Sequence, residues 1–224
     1  ISSFDVRNIL TAVILLFLCI KVPLLNKNFT GNNTIKYNTY VEPAIYMVEN
    51  NNPFALHIKY LADPIINKHG LDKKIIGFPF LEWSLAVVYK IFGLDNIEIK
   101  TRIVPNLLGI LILISSFKVV KKLTNNLTVL IFIFLLTTNP LFILITQLTV
   151  YDSLILFLFL ISYLFFLKYQ KQNKISELAI SAFVFGLAIL SKNVAAIWGL
   201  PFFLTQILID AKADLKKIIR TTSF

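Results

Sequence analysis

The stretch Gln147-Leu148-Thr149-Val150-Tyr151-Asp152-Ser153 separates two long apolar runs, Leu127–Thr146 and Leu154–Leu167. A bilayer core of ~30 Å takes about 20 apolar residues to cross as a helix. Both runs reach that length or nearly so, which makes the polar break a turn between two membrane spans. A carboxylate in such a turn lies at the level of the lipid headgroups, and an ionisable group there marks a candidate functional site. Asp152 also has a plainer reading as a helix N-cap, accepting from backbone N–H groups that lack partners inside the helix. The two roles are compatible.

Working outward, the rest of the chain has the same character. Of its 224 residues, 57% are hydrophobic and 20 are Phe, and the mean hydropathy is +0.76. These values exclude an ordinary soluble domain and point to an all-α polytopic membrane protein. A formal net charge of +10 would suggest a nucleic-acid partner in a soluble chain. Here the basic residues lie beside apolar runs, where topology accounts for them, and no nucleic acid is expected. Cys19 is the only cysteine, which leaves no intrachain disulfide and no cysteine cluster for zinc. The chain stops at Phe224 just after a basic stretch and reads as a piece of a longer protein.

Six spans are expected, over Ile9–Leu25, Ile103–Phe117, Leu127–Thr146, Leu154–Leu167, Leu178–Leu190 and Val194–Ile209, in one domain covering 1–224. The first has the short apolar core of a signal peptide. Lys21 and Pro23 make a poor cleavage site, however, and more spans follow, so it reads as an uncleaved anchor. Pro140 should kink the third span. Residues 26–101 form a large polar loop with Asn-rich turns at Asn28–Asn38 and Asn50–Asn52 and two helix candidates, Tyr40–Glu49 and Phe80–Leu94.

Basic residues fix the orientation. With Arg7 cytoplasmic and Phe80–Leu94 not crossing, three basic groups fall inside: Lys118, Lys121 and Lys122; Lys168, Lys171 and Lys174; Lys212, Lys216, Lys217 and Arg220. The short outer turns then keep only Asp152 and Lys192, as the positive-inside rule requires. Phe80–Leu94 becomes a helix in the outer interface, with Trp83 and Tyr89 at headgroup level. Asp152, Lys192 and the long loop thus share one membrane face, which is taken to be the outer face of a plasma membrane.

Four local patterns, in order, resemble the GT-C glycosyltransferases, specifically the protein O-mannosyltransferase and lipid A aminoarabinose-transferase group, glycosyltransferase family 39 and its relatives. Gly77-Phe78-Pro79-Phe80-Leu81-Glu82-Trp83 resembles the Lys-Pro-Pro-Leu-Tyr-Tyr-Trp stretch that opens the family's interfacial helix. Phe92-Gly93 with Thr101-Arg102-Ile103-Val104-Pro105 resembles its Phe-Gly…Ala-Arg-Leu-Pro entry to the second span. Thr138-Asn139-Pro140-Leu141-Phe142, followed by Tyr151-Asp152, resembles its Ser-Pro-Leu-Phe…Asp segment. Gly186-Leu187-Ala188-Ile189-Leu190-Ser191-Lys192 resembles its Gly-Leu-Ala-Phe-Leu-Thr-Lys-Gly. The chain departs from the family early in the loop. Tyr40-Val41-Glu42 resembles the family's Tyr-Ala-Glu helix start, but Lys36 and Tyr37 stand where an Asp-Glu pair is usual, and the Lys of Lys-Pro-Pro is missing near Gly77.

The resemblance implies transfer of a sugar from a polyprenyl-phosphate carrier to an acceptor hydroxyl of a protein or lipid, outside the cytoplasm. Such a reaction needs a carboxylate to take the hydroxyl proton and cations where charge develops on the leaving phosphate. Asp152 is the first candidate for the carboxylate. Glu42 and Asp63 are candidate second acids, although Glu42 also suits a first helical turn and Asp63-Pro64 suits a turn. Lys192 and Arg102 are candidates for phosphate contact, or else snorkel to headgroups. His57 and His69 lie in the loop without ligand spacing, so no metal site is assigned and a divalent cofactor has no support from spacing. The triplets at Asn28, Asn32 and Asn126 match the glycosylation pattern and carry little weight in an Asn-rich chain. Two other readings stand beside the transferase. One is a lipid or solute transporter, which would place charges or broken helices at mid-membrane. The other is an inactive relative with an assembly or binding role, suggested by Lys36 and Tyr37.

Overall fold

Two apolar runs continue through their polar ends into helices long enough to cross a bilayer. In the computed structural model, which describes residues 6–24, 40–52, 78–192, 195, 197 and 199–208, these are α4 (Ile97–Leu123) and α7 (Tyr151–Gln172). At ~1.5 Å per residue they span roughly 40 and 33 Å. Shorter apolar helices accompany them: α1 (Val6–Lys21), α5 (Asn126–Thr138), α6 (Pro140–Ile145), α8 (Ile175–Ser191) and α9 (Gly199–Leu208). Two more, α2 (Glu42–Glu49) and α3 (Phe80–Phe92), come from the polar segment between α1 and α4. Every regular element among the described residues is helical.

The span expected over Leu127–Thr146 is two helices rather than one kinked helix. Proline lacks the N–H that would continue the ladder and pushes the residue before it toward extended backbone. Asn139 is extended (φ −67°, ψ 121°), and its side-chain oxygen accepts from the N–H groups of Leu141 and Phe142 at 2.8 and 3.1 Å. The asparagine thereby caps α6 as α5 ends.

Asp152 is not an N-cap. Val150 occupies that position in extended conformation and makes no side-chain cap bond, and Asp152 is the second residue of α7. Its charge still suits the first turn, where the helix dipole favours anions. Tyr89 also departs from expectation. Instead of facing headgroups it is buried, its hydroxyl hydrogen-bonded to Thr101 Oγ1 at 2.6 Å.

Helix α7 packs against α8 and α4. The α7–α8 contact carries a reciprocal pair of bonds: Ser162 Oγ donates to Ser181 O and Ser181 Oγ to Ser162 O, both at 2.8 Å. Small hydroxyl residues serve this purpose in membranes, where close approach and interhelical hydrogen bonds replace the hydrophobic drive. At one end of the bundle α3 lies across its neighbours. Leu81, Leu85 and Tyr89 of α3 pack with Val104 and Leu108 of α4, Tyr151 and Ile155 of α7, and Ala188 of α8. The α3–α4 turn is closed by Lys100, whose ammonium donates to Gly93 O at 3.1 Å and pairs with Asp95 at 2.7 Å.

The chain leaves α1 and re-enters α3 at this same end. Gln147 Nε2 donates to Leu24 O at 3.3 Å, and Phe78 N–H donates to Leu190 O at 2.8 Å. The turn before α7 thus meets the end of α1, and the end of α8 meets the start of α3.

Candidate functional site

Three pieces of chain converge where α3 begins, α7 begins and α8 ends. Lys192, which terminates α8, donates from its ammonium to Asp152 Oδ1 at 2.9 Å. Forty residues of sequence separate the two. Their side chains remain about a third and a half exposed. An ion pair that open to solvent contributes at most about 1 kcal/mol to stability, so either charge can be recruited by a substrate at little cost to the fold.

Behind this pair lies a second carboxyl group. Glu82 on the first turn of α3 is only 6% exposed. It shares a short hydrogen bond with the hydroxyl of Tyr151, the residue next to Asp152. The same hydroxyl lies 3.0 Å from Phe78 O. A tyrosine has one hydroxyl proton and cannot donate to both oxygens at once. Both contacts are satisfied when Glu82 is protonated and donates to Tyr151, which then donates to Phe78 O. Burial pushes the Glu82 carboxyl up to about 7 from an ordinary 4.5, the Tyr151 bond pulling partly the other way. At about 7 the carboxyl is near half protonated at neutral pH, and its protonated form is the one that meets that proton count. Phe78 in turn donates to Leu190 O, so a continuous chain of bonds runs from Glu82 through Tyr151 and Phe78 to the last turn of α8, two residues before Lys192.

Tyr40 closes the group from the far side, its ring set edge-on to Tyr151 with centroids 5.4 Å apart. Burial raises its hydroxyl to about 12, with the charges of Glu82 and Asp152 adding to the effect. Two tyrosines and a buried carboxyl are thus joined, through Tyr151, to the half-exposed Asp152–Lys192 pair.

The candidates named from sequence divide accordingly. Asp152 and Lys192 are brought into contact. Glu42 is exposed on the first turn of α2, next to Tyr40 and to the buried Val41. Arg102 is buried, 3% exposed, one turn along α4 from Glu98, whose charge acts on it. Asp63, His57 and His69 lie outside the described residues. Glu82 and Tyr151 are members that sequence reasoning passed over. The signal was present: Leu81, Glu82, Leu85 and Tyr89 form one buried stripe of α3, and a carboxylate inside an apolar stripe calls for a partner.

A carboxylate beside a partly exposed cation, next to a buried acid and two phenols, suits transfer of a group from an anionic carrier to a hydroxyl. No curated protein and no solved structure matches the chain. Residues 77–222 match the family described as dolichyl-phosphate-mannose-protein mannosyltransferase. That span takes in α3 through α9 and so covers the Glu82, Asp152 and Lys192 group, and it extends over well over half of the 224 residues. The chain belongs to this family, and it is accordingly a membrane glycosyltransferase of the GT-C type.

Proposed function

We propose that the protein transfers a mannose-like sugar from a dolichyl- or polyprenyl-phosphate carrier to a hydroxyl of a protein or lipid acceptor on the non-cytoplasmic side of its membrane. The observation that carries this reading is the Asp152–Lys192 contact at 2.9 Å, placed where α3, α7 and α8 meet. In the reaction the bond between the sugar's anomeric carbon and the carrier phosphate breaks, and a bond to the acceptor oxygen forms. The acceptor proton passes to Asp152, which needs only to come within hydrogen-bond reach of that hydroxyl. The phosphate leaves as the polyprenyl monophosphate, and its growing charge is met by Lys192 as Asp152 is neutralised. Exchange of ion partners links the two events: the proton that cancels the charge on Asp152 releases Lys192 toward the phosphate.

The experiment is transfer from a polyprenyl-phosphate sugar by Asp152→Asn in membranes where the variant inserts at the wild-type level. We expect transfer to fall by at least a hundredfold, within the ~10²–10⁴-fold range for losing a general base. Unchanged transfer would remove Asp152 from the mechanism.

A further inference from the structure

At the opposite end of α7 from Asp152, the structure forms a cavity of about 1420 Å³ between the last turns of α4 and α7. Lys118, Lys121 and Lys122 enter it from α4, and Lys168 and Lys171 from α7. Leu164 and Phe165 are among the apolar side chains of its wall. We infer that this cavity holds the phosphate headgroup of an anionic phospholipid, with the lipid's acyl chains lying along the apolar wall.

Orientation of membrane proteins explains why lysines collect at this end. It does not explain why lysines from two separate turns share one concavity. Lys122 lies close enough to Lys168 and Lys171 to feel their charge, and the acid acting on it is Glu177. Among the described residues, the only ion pairs are Lys100–Asp95 and Lys192–Asp152, so these five lysines make none. Lys168 and Lys121 rest instead over the rings of Phe165 and Phe117, at 4.6 and 5.7 Å. One acid, Glu177, acts on Lys122 and forms an ion pair with none of the five lysines, so their charge is left for an anion from elsewhere. Residues 209–224 carry Lys212, Lys216, Lys217 and Arg220 against Asp210 and Asp214, so that stretch adds positive charge on balance. The height of the cavity selects the anion. It lies at the end of two membrane-length helices, where phospholipid headgroups are abundant, and basic pockets between transmembrane helices suit such headgroups. Lys174 belongs to the same α7–α8 turn but does not line the cavity, which makes it a natural control.

The test is native mass spectrometry of the full chain released from detergent after incubation with phosphatidylglycerol, phosphatidylcholine or inorganic phosphate. The wild type should retain phosphatidylglycerol at least tenfold better than phosphatidylcholine, and retention should fall as salt is raised. Inorganic phosphate at millimolar concentration should leave the adduct in place. The combination of Lys118→Gln, Lys122→Gln and Lys168→Gln should weaken retention on the order of a hundredfold, at about fivefold per lysine, while Lys174→Gln leaves it unchanged. Equal retention of the two lipids, displacement by phosphate alone, or equal loss in Lys174→Gln would each overturn the inference. The wild-type lipid comparison decides the matter even if the triple variant fails to insert.

Discussion

At the scale of single residues, the two ends of one ion pair carry different expectations. If Lys192 meets charge on the leaving phosphate, removing it is a transition-state defect, since loss of one stabilising donor of this kind costs about 10²–10³-fold in rate. Lys192→Met should therefore lower kcat for sugar transfer by about a hundredfold, and Lys192→Arg should restore part of it; steady-state kinetics on the polyprenyl-phosphate donor reads both. Glu82 makes a prediction about pH. Its folded value of about 7 lies above the ordinary 4.5, so the proton favours the folded state. The stabilisation is complete below pH 4.5 and is lost as pH rises through about 7. Its full size is on the order of 3 kcal/mol, at ~1.4 kcal/mol per unit. Melting of the purified protein should thus drop as pH rises from about 4.5 to 7 and level off above that, and Glu82→Gln, which keeps a neutral donor, should flatten that slope. A variant whose melting kept the wild-type slope would take Glu82 out of the account. Asp152 and Lys192 were legible from sequence because each sits alone in a short turn between apolar runs. Glu82 was legible only in part: its place beside Leu81, Leu85 and Tyr89 hints at burial, but its partner Tyr151 comes from α7 and appears only in the fold.

At the scale of elements, hydropathy read the interiors of helices well and their ends poorly. The apolar runs over Ile103–Phe117 and Leu154–Leu167 became α4 and α7, extended at both ends by polar residues that a helix carries into the headgroup layer. The break at Asn139 was visible only as a kink, because Pro140 announces itself whereas the cap made by its neighbour depends on side-chain geometry. Close approach between helices is likewise invisible to hydropathy. Gly109 of α4 is one such place: a Cβ there would lie 2.5 Å from Cζ of Phe17 and 3.1 Å from Cβ of Thr146. Phe17 is fully buried with its ring 5.7 Å from that of Phe142, so it has little freedom to give way. Gly109→Ala should destabilise the bundle by about 1–3 kcal/mol, as overpacking does, with Gly186→Ala, where a Cβ meets nothing within 4 Å, as the neutral comparison. Thermal unfolding in one detergent measures both.

At the scale of the whole molecule, charge divides the bundle into two ends. Asp152, Lys192 and Glu82 meet at one end of α7, and Lys118, Lys121, Lys122, Lys168 and Lys171 gather at the other. If the positive-inside rule governs, the first end faces out and the second faces the cytoplasm. The donor's phosphate would then be met on the side where the acceptor waits. Cysteine labelling can decide this, because Cys19 is the chain's only thiol. In a Cys19→Ser background, Leu148→Cys in the turn before α7 should react with a membrane-impermeant maleimide added to intact cells. Asn125→Cys and Asn173→Cys, in the α4–α5 and α7–α8 turns, should react only after permeabilisation. Helix α7 at roughly 33 Å is long enough to separate the two sets by a bilayer core. Labelling of Leu148→Cys and Asn173→Cys from the same side would mean that α7 does not cross. Labelling of Asn173→Cys alone in intact cells would invert the protein and place the Asp152–Lys192 pair in the cytoplasm, which is incompatible with transfer to an acceptor outside.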